Sequence, residues 1–101
     1  MKAIFKTGSP YGQLSDEKLI PLVISGQQQA CTELVNRHER LLHFILKRYL
    51  TDPNAIEEVT QDTFMRAFRA LPAFRGDSKF STWLGKIAVS AALSRLRLKR
   101  Y

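Results

Sequence analysis

From Cys31 to Tyr49 the core-type side chains return at steps of three and four: Cys31, Leu34, Val35, His38, Leu41, Leu42, Ile45 and Tyr49. That rhythm is the period of an α-helix with one face turned inward, and it predicts a helix from about Gln28 to Leu50. A second stripe of Ile56, Val59, Thr60, Thr63, Ala67, Phe68 and Leu71 predicts another. Asp52 supplies its N-cap, Pro53 its first helical position, and Pro72 its end. Ser15, followed by Asp16 and Glu17, caps a short first helix through Leu19, Ile20, Leu22 and Val23, which Gly26 stops. Pro21 removes a ladder hydrogen bond there and predicts a kink. A last helix starts near Ser78–Ser81 and buries Trp83, Leu84, Ile87, Ala91 and Leu98. No segment alternates with period two. The expected fold is all-α, a compact bundle of about four helices, with residues 1–13 a flexible leader and 14–101 the domain.

A chain of 101 residues makes one domain with a real core. The single cysteine, Cys31, rules out an internal disulfide and fits a reducing, cytoplasmic setting. No apolar run approaches the ~18–20 residues of a membrane span, and Met1 to Gln13 has no signal-peptide pattern.

Catalytic and metal chemistry lack their parts, so no cofactor is expected. Cys31 falls on an apolar stripe, where an inert buried thiol is the plain reading. His38 and His43, five apart on one helix, point in different directions. Ser15 to Lys18 spells Ser-x-x-Lys and Lys6 to Gly8 spells Lys-Thr-Gly, but the order and chain length are wrong for a penicillin-binding fold. No glycine-rich phosphate loop is present.

Charge is sorted along the chain. Residues 1–65 hold seven Lys/Arg against eight Asp/Glu, whereas residues 66–101 hold nine against Asp77 alone, within a formal total of +7. A segregated positive field attracts polyanions and releases counterions from phosphates; a solubilising surface would show the same charge.

Two stretches carry more specific chemistry. Opposite the apolar stripe of the Pro53–Leu71 helix stand Glu58, Gln61, Asp62, Met65 and Arg69. A Met among charges suits a partner surface, and a plain exposed face with one stray Met fits equally. Further on, Phe74, Phe80 and Trp83 cluster with Arg75 and Lys79 inside ten residues. Rings interleaved with cations suit unstacked bases, which stack at ~1–3 kcal/mol each, although either Trp83 or Phe80 must also plug the core. On the last helix Lys86, Ser90, Leu93, Arg97 and Arg100 share a side that could lie along a phosphate backbone, with Ser90 placed to reach a base edge.

The segments Glu57-Glu58-Val59-Thr60-Gln61-Asp62-Thr63-Phe64-Met65-Arg66-Ala67-Phe68-Arg69 and Phe74-Arg75-Gly76-Asp77-Ser78-Lys79-Phe80-Ser81-Thr82-Trp83-Leu84, in this order and spacing, closely resemble region 2 of bacterial sigma factors of the extracytoplasmic-function class. The resemblance runs from Leu14 to Arg100. It implies that Glu58, Gln61, Asp62, Met65, Arg66 and Arg69 dock on the clamp helices of the largest subunit of core RNA polymerase. It also implies that the second segment helps open the −10 promoter element. By the same resemblance the loop of Phe74, Arg75, Gly76, Asp77, Ser78 and Lys79 pockets a base flipped from the non-template strand, and Phe80, Ser81, Thr82 and Trp83 begin the helix that supplies specificity contacts. Lys86, Ser90, Arg97 and Arg100 would add contacts to that DNA. An anti-sigma protein is a further implied partner, without membrane insertion. Ser90 stands where family members often carry Asn, and Pro21 is unusual in the first helix. A domain for the −35 element normally follows, so the chain reads as an isolated fragment or a member lacking it. The rival reading is a truncated decoy that binds polymerase or an anti-sigma protein without engaging promoters.

Overall fold

Asp52 fixes the start of one helix as its neighbours require: its carboxylate accepts from the Asn54 N–H at 3.0 Å, and Pro53 takes the first helical position. The computed structural model describes residues 10–99, without the side chain of Lys99. Residues 1–9 of the expected leader, and the candidate DNA contact Arg100, lie outside the described residues. Within them are four helices, α1 (Asp16–Ile24), α2 (Gln28–Leu46), α3 (Pro53–Ala70) and α4 (Phe80–Lys99), with a 3-10 turn at Leu71–Ala73 between the last two. No strand occurs among the described residues. The all-helical expectation holds.

The chain forms two compact units, residues 1–37 and 38–101, whose boundary falls within α2. In the first, the Ser15 hydroxyl accepts from the Lys18 N–H at 3.3 Å and caps α1, with Asp16 and Glu17 in its first turn. Helical bonding resumes past Pro21 when Ser25 donates to the Pro21 carbonyl at 3.0 Å, and Gly26, at φ 94°, reverses the chain. Arg37 is the tie of this unit. Its guanidinium donates to Glu33 at 2.8 Å, to Asp16 at 3.1 Å and to the Tyr11 carbonyl at 3.0 Å. Burial works to lower its pKa, but the hydrogen bonds and charges of Glu33 and Asp16 outweigh that and move it upward. The part of the expected leader around Tyr11 and Gly12 is therefore anchored by its backbone carbonyls.

In the second unit, α2 stops at Leu46, four residues before the periodicity suggested. Lys47 to Tyr49 tighten into a turn, and Leu50 is nonetheless buried. α3 packs along α4, where Ala88, Ala91 and Ala92 are buried and small enough for close approach. Thr60 and Thr63 sit in the core of α3 because each hydroxyl donates to the carbonyl four residues back, at 2.7 Å. Phe64 joins that buried face and stacks on Phe68 at 6.0 Å between ring centroids.

Several burial expectations are corrected. Cys31, Trp83 and Ile87 are only partly covered, and Leu98, on the final turn of α4, is 74% exposed.

Candidate nucleic-acid and polymerase interface

The ring cluster forms where the 3-10 turn hands the chain to a loop. The Phe74 N–H donates to the Leu71 carbonyl at 3.0 Å, which sets Phe74 at the mouth of the loop, and Gly76 at φ 79° turns the backbone beyond it. The chain re-enters helix at Phe80, and Trp83 N–H donates to the Lys79 carbonyl at 3.1 Å. Phe74 then lies 4.9 Å from Trp83 and 6.1 Å from Phe80, centroid to centroid, and Phe80 lies 5.7 Å from Trp83. These offsets are the ordinary tilted and edge-on ring geometries.

Burial divides the labour within the cluster. Phe80 is 1% exposed, with the His38 ring edge-on at 5.2 Å, so it has no face left for a base. It is the core plug, and its place among the DNA-facing residues is corrected on that ground. Phe74 and Trp83 are half-buried, which holds them in place and leaves ring area open. Arg75, Gly76, Asp77, Ser78 and Lys79 are exposed around them, Ser81 is partly so, and Thr82 is exposed. Ser78 makes one local bond, donating from its hydroxyl to the Lys79 carbonyl at 3.4 Å. The result is a half-open ring pair at the ends of a short, glycine-turned loop that carries two exposed cations, Arg75 and Lys79. Such a surface can accept a planar, unpaired base and hold the adjoining phosphates.

Along α4, Lys86, Ser90 and Arg97 are all exposed on one side, with Leu93, 41% exposed, among them. Arg97 donates to the Ser94 hydroxyl at 3.3 Å, and its side chain is exposed. Arg95, which periodicity did not single out, turns instead to α3 and donates to Glu58 at 2.7 Å.

The second candidate surface is the outer face of α3. Glu58, Gln61, Met65, Arg66 and Arg69 are exposed and Asp62 is half-covered. Met65 is 56% exposed, a large apolar side chain among charges. The polar groups are loosely tied to one another: Arg66 to Asp62 at 2.9 Å, Gln61 to Glu57 at 3.3 Å. Exposed pairs of this sort are worth little individually, so a partner can replace them at small cost.

One group of metal-type ligands occurs among the described residues. Glu39, His43 and Glu57 bring one donor atom each to within 4.8 Å of one another. His43 Nε2 is 3.3 Å from Glu57 Oε1 without a hydrogen bond. Glu57 is largely exposed and shared with Gln61, and Lys47 lines the same depression. An ammonium group there competes with any cation, and the arrangement is that of a surface charge cluster. Cys31 has its thiol pushed up by burial, which disfavours the reactive thiolate.

Comparison with known proteins identifies the family. Residues 34–100 match the Sigma-70 region 2 family. The ECF RNA polymerase sigma-E factors of Escherichia coli (strain K12) and Salmonella typhimurium (strain LT2) are each 40% identical to the chain over 84 residues, 83% of its length and 44% of theirs. The sigma-E factor of Haemophilus influenzae is 39% identical over the same span. The chain thus spans less than half the length of these relatives. Among solved structures, an engineered region 2 of sigmaE in complex with GTAAAA superposes with a TM-score of 0.79 at 37% identity, covering 86% of this chain and 90% of that one. CnrH in complex with the cytosolic domain of CnrY gives a TM-score of 0.69 at 31% identity, over 84% of this chain and 60% of that one.

Proposed function

The chain belongs to the Sigma-70 region 2 family, and from that premise we propose that it is a promoter-specificity domain, binding core RNA polymerase and recognising and melting the −10 element. The observation that carries this reading is the likeness, in fold and in sequence, to a region 2 bound to GTAAAA. The half-open Phe74–Trp83 pair, with Arg75 and Lys79 on the loop between them, supports it physically, because rings and cations in that arrangement favour a separated strand over a stacked duplex.

In this reading residues 14–101 are the working domain and residues 1–13 its leader. Phe74, Trp83 and the exposed loop from Arg75 to Lys79 hold a base flipped from the non-template strand, with Ser81 and Thr82 beside it. Lys86, Ser90, Arg97 and Arg100 lie along the backbone. The face Glu58, Gln61, Asp62, Met65, Arg66 and Arg69 docks on the polymerase. The domain performs no catalysis of its own and works in the bacterial cytoplasm; none of the described helices is long and apolar enough to cross a membrane. A relative held by the cytosolic domain of another protein supports an anti-sigma partner as well.

Base-resolved binding tests the reading. A labelled single strand containing GTAAAA is titrated against permuted strands of the same composition. The expected result is a preference for particular bases at particular positions. Equal affinity for every permutation would sink promoter recognition and leave the decoy reading.

A further inference from the structure

Beside the candidate DNA face of α4 runs an open groove of about 580 Å³. Its lining combines Ile45 of α2 and Gly85 and Val89 of α4 with Arg48, Thr82 and Lys86. Gly85 lets Ile45 pack closely against the α4 backbone. A Cβ there would meet Ile45 Cδ1 at 3.3 Å, so a larger side chain would crowd Ile45. Arg48 follows the end of α2, and its guanidinium carbon lies 5.5 Å above the ring centre of Phe44, which is 62% exposed. An exposed aromatic ring thus stands against Arg48, which itself lines the groove.

The chemistry of the lining selects an occupant. Two cations and the hydroxyls of Ser81 and Thr82 border the groove, and no carboxylate lines it. Ser81 and Thr82 also stand in the first turn of α4, where unpaired N–H groups and the helix dipole favour an anion. A polyanion with apolar parts fits such a surface: phosphates for the cations, sugar and base edges for the apolar lining. Thr82 and Lys86 belong both to this groove and to the surface already proposed for DNA, so the two are continuous.

We infer that the single strand leaving the Phe74–Lys79 loop continues through this groove, with Arg48 pairing a phosphate and the Phe44 ring available to an adjoining base. The inference rests on the proposed promoter-binding function and extends its footprint from α4 and the loop onto the end of α2. Arg48 and Phe44 are then nucleic-acid-binding residues.

The test is fluorescence anisotropy with a labelled single strand carrying GTAAAA and several flanking nucleotides on each side, across a salt series, with helicity checked by circular dichroism. Arg48→Ala should weaken binding about tenfold and reduce the salt slope by about one. Arg48→Lys should restore the slope, and Phe44→Ala should weaken binding with the slope unchanged. Wild-type affinity and slope in folded Arg48→Ala, beside a loss in Arg97→Ala, would overturn the groove and leave promoter binding standing. Failure of the unmodified protein to bind the strand at all would remove the function and the groove with it. Poly-glutamate binding that Arg48→Ala abolishes, with DNA binding untouched, would assign the groove to an acidic polypeptide and overturn the inference.

Discussion

Arg95 on α4 and Glu58 on α3 form an ion pair at 2.7 Å, joining two helices through side chains that stand 37 residues apart in sequence. Glu58 is therefore held from within the molecule while it faces the proposed polymerase surface. Its side chain is 63% exposed and that of Arg95 31%, so water screens the pair and its coupling should stay below about 1 kcal/mol. A double-mutant cycle of Arg95→Ala and Glu58→Ala by urea unfolding measures it. Arg95→Ala should leave capture of core polymerase intact, because it only releases Glu58. Gln61→Ala combined with Asp62→Ala should reduce crosslinking to core polymerase several-fold. Undiminished crosslinking in that pair would move the polymerase surface off α3.

Rings in the same cluster should separate cleanly by experiment. Phe80 is 1% exposed, and its replacement by Ala should destabilise the fold by about 3–5 kcal/mol, visible as a large fall in the urea midpoint. Phe74 is half-buried, so Phe74→Ala should cost less stability and lose more affinity for single-stranded DNA. Trp83→Ala should show both losses together. The reverse order, with Phe74→Ala the more destabilising, would contradict the assignment of Phe80 as the plug.

Arg97 is an exposed cation that, among the described residues, donates to the Ser94 hydroxyl at 3.3 Å. If it meets a phosphate, Arg97→Ala should weaken DNA binding for all sequences alike and lower the slope of log K against log salt by about one. An unchanged slope would take the phosphate path off this side of α4.

The Cys31 thiol, raised by burial, binds its proton more tightly in the folded chain than in the unfolded one. The stability this contributes is present below the ordinary thiol range and is lost as pH rises through the folded value. Iodoacetamide should accordingly label native Cys31 more slowly than urea-unfolded protein near pH 8, with the gap closing as the pH rises. Equal rates at pH 8 would contradict a desolvated thiol.

Much of this architecture can be read from local chemistry. Asp52-Pro53 and Ser15 announce helix starts because a cap is a contact over two or three residues, and the stripe from Ile56 to Leu71 gives the buried face of α3. What escapes is set by distance along the chain. Periodicity says which way Arg95 points on its own helix, but not that Glu58 lies opposite, since that depends on how α4 rotates against α3. Phe64 escapes because the buried face of α3 is wider than a single stripe. The same limit left Trp83 and Phe80 as equal candidates for the plug until their positions against His38 and Phe74 were known. Leu98 has the right spacing for the core but is 74% exposed on the last turn of α4. Arg48, beyond the regular part of α2, belongs to no stripe.

The whole account depends on a surface that prefers an unpaired strand. Anisotropy with one −10-type sequence, presented once as a single non-template strand and once as a paired duplex under identical salt, measures this directly. The single strand should bind more tightly, and Phe74→Ala should narrow the difference. Equal or tighter binding of the duplex, unaffected by Phe74→Ala, would contradict the account.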